Sequence, residues 1–467
     1  MENTNQSYEK ELADKLLYKK KSVYTQSDDK KIDTMFAYAE GYKNFLDNAK
    51  TEREAVKYAV AAAEKAGFTP YRLGEALKVG DKKYVNNRGK SIYLFRVGKK
   101  ALSEDGVRIL AAHIDSPRLD LKQVPLYEDS GMSFFKTHYY GGIKKYQWTA
   151  MPLALHGVIV KKNGEEVTVT LGEKENDPVF YINDLLPHLA QEQVQKPLGS
   201  AIPGESLNIL VGSRPVSADA EEGIKLNVLR LLNEAYGITE EDFLSAELVA
   251  VPAFHARDIG FDRALVGSYG HDDRVCAYPA LTAILDAEKS EHTLLTALVD
   301  KEEIGSEGVS GMQCEILSDL IASIAVAMGE NPAAVRAASA CLSADVNAAY
   351  DPNYADVYEK RNSAILSCGT TMSKYTGARG KSGTSDASAE FVGKVRRIFD
   401  ENGVVWQSSE LGKVDIGGGG TVAKYIANMN IDTVDMGVPV ISMHAPYEVI
   451  SKVDLYTTYE AFVAFCK

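Results

Sequence analysis

Polar side chains that could bind a metal ion or move a proton follow several apolar runs of this sequence. The clearest example is the adjacent pair Glu302 and Glu303, which follows the apolar run TLLTALV and precedes a glycine turn. A short run rich in Leu, Thr and Val predicts a buried strand. In open α/β sheets, ligands bind at the carboxyl ends of the strands. The pair is therefore a candidate for a functional site, although an isolated DKEE segment is more often a solvated turn.

Four other segments also place polar groups at the end of an apolar run or at the start of a helix. His113 and Asp115 end a predicted strand, and their spacing of two puts both side chains on one face of an extended backbone. The remaining candidates are two adjacent aspartates at a predicted helix start, an aspartate that closes a strand, and a histidine after an apolar stretch: Asp272 and Asp273, Asp345, and His444. Each alone has an ordinary explanation, such as a helix cap. Together, several carboxylates at one sheet edge would repel one another unless a cation neutralised them.

The types of these residues indicate which cation would fit. Two histidines with three or more carboxylates, and no cysteine, suit zinc or its neighbours manganese and cobalt. The set is large enough for two ions that share one aspartate. The five cysteines of the chain are scattered and lack CxxC spacing, so they predict neither a thiolate metal site nor a disulfide framework. A reducing, cytoplasmic setting is the default expectation.

Composition excludes several classes of function. With 467 residues, 45% of them hydrophobic and 25% charged, the chain is typical of a soluble globular protein of two or three domains. The net charge of -13 argues against nucleic acid and anionic membranes as partners, because both require basic patches. The N-terminal segment lacks the apolar core of a secretory signal, and no stretch approaches the roughly 18 apolar residues of a membrane span.

The order of predicted elements indicates an α/β protein with an insertion. Strands and helices alternate before and after a central region, which predicts a sheet covered by helices. In the central region, HGVIVKKNGEEVTVTLGE predicts a β-hairpin across Asn163-Gly164. We therefore expect a first catalytic part at residues 1–124, an inserted β-rich domain at 125–252, and a second catalytic part at 253–467.

Five segments, in this order, resemble the aspartyl aminopeptidase and vacuolar aminopeptidase family of zinc metallopeptidases: AAHIDSPRL, HDDRVCAY, DKEEIGSEG, SADVNAAYDPNY and ISMHAPYE. Two further segments, YYGGIKKYQW and MPLALHGVIV, resemble the insertion of that family. The resemblance implies a mixed β-sheet flanked by helices, of the zinc exopeptidase type, with an inserted β-rich dimerisation domain. It also implies peptide substrates with a free N-terminus, and homo-oligomers, typically dodecamers, built from dimers.

The resemblance assigns a role to each candidate ligand. Asp272 would bridge two zinc ions, with His113 and Asp345 completing one site and Glu303 and His444 completing the other. Related enzymes often have an asparagine directly after the bridging aspartate, where this chain has a second aspartate. The alternative that Asp273 is the bridging ligand therefore stays open.

The remaining roles also follow from the resemblance. Glu302 would be the general base, and Asp115 would hold the imidazole of His113 in its ligating tautomer. In the family, a histidine at the position of His156 reaches across a dimer interface to bind substrate in the neighbouring active site. Lys374 and Lys381 are candidates to meet an acidic side chain of the substrate.

Two other functions are compatible with the same motifs. A two-metal deacylase of small N-acyl substrates would use the same scaffold, because fold and metals alone do not define the leaving group. A non-catalytic, self-assembling scaffold would keep the metals but would have no reason to keep Glu302.

Overall fold

The computed structural model describes residues 2–288 and 290–467, with side chains from residue 8 onward. Its strands alternate with helices on both sides of a strand-rich central region. In chain order the strands are β1 (Thr69–Pro70), β2 (Lys82–Asn87), β3 (Ser91–Arg96), β4 (Val107–His113), β5 (Arg118–Asp129), β6 (Met132–Tyr140), β7 (Pro152–Val160), β8 (Glu166–Leu171), β9 (Phe180–Ile182), β10 (Ile209–Gly212), β11 (Ala246–Pro252), β12 (Arg257–Ile259), β13 (Leu265–Ser268), β14 (Thr293–Val299), β15 (Ala340–Ala344), β16 (Asn347–Ala348), β17 (Thr370–Ser373), β18 (Trp406–Ser408), β19 (Asp432–Gly437), β20 (Pro439–Ile441) and β21 (Glu448–Ser451).

The α-helices flank these strands in sequence. They are α1 (Glu2–Leu16), α2 (Val23–Gln26), α3 (Asp29–Asn48), α4 (Glu52–Lys65), α5 (Leu102–Asp105), α6 (Leu198–Ala201), α7 (Gly223–Tyr236), α8 (His271–Asp286), α9 (Ile316–Ala327), α10 (Pro332–Ala338), α11 (Ala389–Glu401), α12 (Ala423–Ala427) and α13 (Lys452–Cys466). Among the described residues, none of these helices has the length and apolar character needed to cross a membrane.

The largest sheet has nine strands in the order β1-β2-β3-β14-β4-β15-β19-β17-β18. Its four central strands, β14, β4, β15 and β19, run parallel. The register places Val299 opposite His113 and Ala344 opposite Met436, so these strands finish at the same edge. The residues that follow the strands are thereby brought together, as expected for ligand sites in open α/β sheets.

Helices cover both faces of this sheet because the central strands are apolar on both sides. On β4, Leu110 and Ala112 pack into the core formed with α3, α4, α8, α11 and α13. The alternate residues Ile109 and Ala111 pack into the opposite core, which α9, α10 and α12 complete. This arrangement confirms the predicted α/β sheet flanked by helices.

The central region forms a second sheet with its own core. The strand order is β11-β5-β6-β10-β9-β7-β8, and an additional pairing of β11 with β7 closes six of these strands into a ring. The predicted hairpin across Asn163-Gly164 is confirmed, since β7 and β8 pair antiparallel with Val160 opposite Glu166. The first strand of this sheet begins at Arg118 and runs across the expected domain start at residue 125.

A third, smaller sheet carries several of the candidate ligand loops. Its strand order is β12-β13-β21-β20-β16. Strand β13 leads into α8, which begins beside Asp272, and the turn between β20 and β21 contains His444. Strand β16 follows Asp345 after one residue. Pairing between the strands of this sheet therefore brings together the candidate ligand loops, which are far apart in sequence.

Candidate metal centre

Each predicted metal ligand lies at the end of a strand, in a turn or at the start of a helix. His113 is the last residue of β4, and Asp345 directly follows β15. Asp272 lies in the first turn of α8, after Gly270, whose φ of +75° is in the left-handed region. The 3₁₀ turn Glu302–Ile304 carries both glutamates immediately beyond β14.

The side chains of these residues form three overlapping groups, of which two share Asp272 and the third joins His113 to Glu302 and Glu303. In the first group, His113 Nε2 lies 3.1 Å from Asp272 Oδ1 and 3.8 Å from Asp345 Oδ1. In the second, His444 Nε2 lies 3.2 Å from Asp272 Oδ2 and 3.7 Å from Glu303 Oε2. Within each group the potential ligand atoms lie within 4.8 Å of one another. Asp272 thus offers one oxygen to each group.

Both histidines present the same ring nitrogen to the carboxylates. His113 Nδ1 donates to the backbone carbonyl of Asp115 at 3.0 Å, and His444 Nδ1 donates to that of Gly142 at 2.7 Å. A carbonyl oxygen only accepts, so each Nδ1 carries the proton and each Nε2 is free to bind a metal. Donation from the second nitrogen to a carbonyl is the usual arrangement for metal-bound histidines.

The donor set fits zinc. His113 Nε2 and Glu303 Oε1 are buried and have no hydrogen-bond partner among the described residues. Such atoms are costly to bury unless a ligand satisfies them. Imidazole nitrogens and carboxylate oxygens, without a thiolate, are among the ligands that zinc accepts in catalytic sites. The residues present are therefore suited to two ions.

The two adjacent aspartates have different environments. The carboxylate of Asp272 lies between the two histidines, which lower its pKa although burial would raise it. Asp273 is fully buried, and both of its side-chain oxygens lack partners among the described residues. Burial, and then the charge of Asp345, raise the pKa of Asp273 well above its usual range. The geometry favours Asp272 as the bridging residue.

Without bound cations, the negative charges of the clustered carboxylates repel one another. Burial, together with the charges of Asp345 and Asp115, raises the pKa of Glu302 to about 8. Burial, followed by the charge of Asp272, raises the pKa of Glu303 well above its usual range. A nearby cation favours the ionised form of a carboxylate. Metal ions would therefore relieve this repulsion.

The carboxylate of Asp115 organises the glutamate turn. It accepts hydrogen bonds from the backbone N–H of Glu302 at 3.1 Å and of Glu303 at 3.2 Å, and from the hydroxyl of Tyr140 at 2.8 Å. Its Oδ1 also lies 3.2 Å from His113 Nδ1. Asp115 thus contacts the histidine and holds the backbone of both glutamates, and its expected role in fixing the ligating tautomer of His113 remains a prediction.

Comparisons with known proteins are consistent with this geometry. A model of the aminopeptidase I zinc metalloprotease family, M18, matches residues 45–466. The chain is 50% identical over 459 residues to a Clostridium acetobutylicum protein named probable M18 family aminopeptidase 1, covering 96% of this chain and 98% of the relative. The chain belongs to the M18 family of zinc aminopeptidases. The resemblance stated from the five motifs is therefore confirmed.

Solved structures of similar proteins share the fold. The crystal structure of an M18 aminopeptidase from Thermotoga maritima has a TM-score of 0.93 and 43% identity, and covers 97% of this chain and 100% of its own. A structure described as an S. cerevisiae mApe1 dodecamer has a TM-score of 0.75 at 22% identity, and covers 92% of this chain and 96% of its own. At that identity the second comparison concerns the fold alone.

The M18 site also includes a buried glutamate that the sequence analysis did not identify. Glu448 accepts from the backbone N–H of Asp272 at 3.1 Å and from that of His444 at 2.8 Å. One carboxylate therefore holds the backbone of the bridging residue and of one histidine. The only signal in the sequence is the position of Glu448 four residues after His444, inside ISMHAPYE.

The central region also contacts the ligands within the same chain. Tyr140 and Gly142 lie two residues apart in the YYGG segment at the end of β6, and they contact Asp115 and His444 respectively. A Cβ added at Gly142 would lie only 3.2 Å from His444 Nδ1, so this backbone approaches the histidine closely. In the sequence, YYGG is marked only by its resemblance to the insertion of the family.

The structure does not bring His156 to the metal ligands. It is 2% exposed on β7, with Nδ1 2.7 Å from Glu54 Oε1 and Nε2 2.9 Å from Glu173 Oε1. To reach a neighbouring active site, the imidazole would have to leave both carboxylates and the interior. The cross-subunit role expected for His156 remains a prediction that this geometry does not favour.

The two candidate lysines also lie apart from the ligand groups. Lys374 Nζ is 2.6 Å from Asp386 Oδ1, and Lys381 Nζ is 3.1 Å from Asp386 Oδ2. All three side chains are exposed. Their predicted contact with an acidic substrate side chain remains a prediction, and it would compete with these ion pairs.

Proposed function

We propose that this M18 protein is a two-zinc aminopeptidase that removes one N-terminal residue at a time from peptides. The observation that carries the proposal is the pair of ligand groups that share Asp272. His113 and Asp345 would complete one zinc site, and Glu303 and His444 the other. Manganese or cobalt would fit the same nitrogen and oxygen donors.

Bound at this position, the ions would supply Lewis-acid polarisation of the scissile carbonyl and make a nearby water easier to deprotonate. The protein supplies the groups that move the proton. Glu302 lies in the turn beyond β14, and its Oε2 lies 3.9 Å from His113 Nε2, next to the first ligand group. Its backbone is held by Asp115, so the carboxylate has a defined position.

Glu302 would act first as a base and then as an acid. As a base, its carboxylate takes a proton from the attacking water, and as an acid it delivers that proton to the leaving amine. Glu303, although adjacent in sequence, faces His444 and would bind metal instead. Lys301, with φ of 68°, precedes this turn in the αL conformation.

We further propose that the β-rich insertion supports dimers, and that these dimers form a closed dodecamer. Support comes from the fold shared with the yeast dodecamer structure. We also propose a cytoplasmic setting, as expected from the scattered cysteines of the sequence. Peptides with a free N-terminus are the proposed substrates, because the family is one of aminopeptidases.

The test compares substitutions at the two adjacent glutamates. Glu302→Gln should leave two zinc ions per chain but lower turnover by at least about a hundredfold, the scale of general-base catalysis. Glu303→Gln should lose metal as well as activity. Elemental analysis and hydrolysis of aminoacyl amides give the two measurements. Glu307→Gln, at an exposed position just beyond the same turn, is the matched control and should retain both.

Several results would contradict the proposal. Equal metal loss in Glu302→Gln and Glu303→Gln would show that the two roles are misassigned. Full activity with only trace metal would exclude metal-dependent hydrolysis. A panel of N-acetylated amides distinguishes an aminopeptidase from a deacylase. A deacylase would cleave the N-acetylated amides faster than the free aminoacyl amides. An inactive protein that binds two ions would match the scaffold alternative.

A further inference from the structure

Arg274 is a buried arginine two residues from the bridging carboxylate. It is 1% exposed, and its guanidinium donates to oxygens from separate parts of the chain. Nη2 donates to the carbonyl of Lys50 at 2.7 Å, and Nη1 donates to Ser116 Oγ at 3.0 Å. Nη1 also lies 3.5 Å from the carbonyl of Gly270. The planar guanidinium can hold these groups simultaneously, which an ammonium could not do with the same geometry.

The space for this guanidinium depends on a glycine. A Cβ at Gly270 would lie 1.7 Å from Arg274 Nη1, and Gly270 also has a positive φ. Any other residue there would displace the arginine. The position of the guanidinium is therefore set by the local backbone as well as by its hydrogen bonds.

One of its contacts continues to the bridging residue. Ser116 Oγ accepts from Arg274 and donates to the backbone carbonyl of Asp272 at 2.5 Å. Ser116 follows Asp115, which holds His113 and the glutamate turn. The path from Arg274 through Ser116 thus joins the start of α8 to the segment that carries the first histidine.

The other contact reaches the junction with the insertion. Lys50, whose carbonyl accepts from Arg274, extends its ammonium to Glu173 at 2.7 Å and to the carbonyl of Pro252 at 3.0 Å. Lys50 is 3% exposed, so this junction is buried. Arg274 therefore connects the anchor of the insertion to the backbone of a metal ligand.

We propose that Arg274 is a positioning residue that sets the orientation of the Asp272 carboxylate for metal binding. It acts through Ser116 and is itself located by the Lys50 carbonyl. The inference rests on the proposed function, because it assumes that Asp272 bridges two ions. In this proposal Arg274 contributes to the metal affinity of the site although it does not itself bind the metal ions.

The experiment measures zinc affinity directly, on the full-length protein after chelation and dialysis. Competition with a chromophoric chelator gives the stoichiometry and the dissociation constants. Arg274→Met should raise the zinc dissociation constant by about 10–100-fold, the usual effect of losing a group that orients a ligand. Arg274→Lys should recover only part of this loss. Because Arg274 acts through Ser116, Ser116→Ala should raise the dissociation constant by a similar factor, and the double variant Arg274→Met with Ser116→Ala should be no worse than either single variant.

Arg108→Met is the matched control. Arg108 also donates from Nη1 to a backbone carbonyl, that of Phe465 at 2.6 Å, but it lies near the start of β4, far along the strand from His113. The Arg108→Met variant should bind zinc with the same affinity as the wild type. Circular dichroism and the oligomeric mass check that each variant is folded.

The possible outcomes separate the two proposals. A folded Arg274→Met protein that binds both ions with wild-type affinity would overturn this inference alone. Additive losses in the double variant would also overturn it, because they would show that the two residues act independently. Should Arg274→Met fail to fold, unchanged zinc affinity in Ser116→Ala would have the same meaning. A wild-type chain that binds no zinc would overturn the proposed function together with this inference.

Discussion

Replacing His156 by glutamine tests a buried ionic cluster that joins the strand-rich central region to α4 and Lys50. Both ring nitrogens of His156 face carboxylate oxygens, those of Glu54 on α4 and Glu173 beyond β8. Lys50 completes the cluster by binding both oxygens of Glu173 at 2.7 and 2.9 Å. Because carboxylates only accept, His156 satisfies both contacts as a charged imidazolium. Two cations then alternate with two anions.

The pH dependence of the stability that this cluster provides follows from the directions of three pKa shifts. Burial alone would lower the pKa of His156, but the hydrogen bonds and charges of Glu173 and Glu54 raise it above 6.5. Its stabilisation is therefore complete below about pH 6.5 and is lost as the pH rises through the raised folded-state pKa. Burial would raise the pKa of each glutamate, but His156 holds both below 4.5. Their contribution is present above 4.5 and disappears as the pH falls through the lowered values.

The size of the effect can be worked from the burial. Removing one partner of a buried ion pair costs about 3–5 kcal/mol, and glutamine keeps one N–H donor, so we expect about 3 kcal/mol. The entropy of unfolding is about 2.1 cal/mol/K per residue, or roughly 1 kcal/mol/K for 467 residues. His156→Gln should therefore lower the Tm by about 3 °C at pH 6.

The assay is thermal unfolding from pH 5 to pH 9.5, at fixed protein and zinc concentrations, because both change the apparent stability. The difference in Tm between wild type and His156→Gln should be largest near pH 6 and should narrow as the pH rises. Titration of the metal site cancels in this difference. His138→Gln, at an exposed histidine of the same insertion, is the control and should give no pH-dependent difference. A gap that stays constant or widens up to pH 9.5 would refute the charged cluster.

Two further predictions concern residues that hold the ligand backbone. Asp115→Asn replaces one acceptor oxygen by an N–H donor, so the glutamate turn loses a hydrogen bond, and kcat/KM and zinc affinity should each fall by about 10–100-fold. Tyr140→Phe keeps the Asp115 carboxylate and should lower both quantities by less than about tenfold. Equal losses in the two variants would contradict this account. Glu448→Gln should weaken zinc binding by about 10–100-fold, because one of the N–H groups of Asp272 and His444 loses its acceptor; unchanged zinc affinity, measured by chelator competition, would count against it.

The closeness of His113, Asp345 and the glutamate pair could be predicted because it depends on local sequence and on one general property of parallel sheets. A strand that ends in His113 and one that ends before Asp345 must finish at a common edge when they pair in register. The apolar runs locate the strands, and the residues after them then lie together. No detailed knowledge of packing is needed for this step.

The residues that hold the ligands could not be predicted in the same way. Glu448 and Arg274 act on backbone groups whose positions depend on how the third sheet and the N-terminal segment pack. His156 was expected to act in catalysis, yet its partners Glu54 and Glu173 lie 102 and 17 residues away in sequence. Neither separation corresponds to a repeat of a helix or a strand, so a sequence pattern could not reveal these contacts. Contacts of this kind arise only once the tertiary fold is known.

The same contacts change how the insertion should be regarded. Tyr140 and Gly142 reach Asp115 and His444 directly, so part of the metal centre is supported by the inserted region of the same chain. Lys50 links that region to the path through Arg274. A catalytic part without the insertion would retain every proposed metal ligand, but it would lose the acceptor for the His444 ring N–H and the hydroxyl that binds Asp115. Since a ligand whose orientation is lost binds metal more weakly, we expect residues 125–252 to strengthen metal binding whether or not they also form a dimer interface.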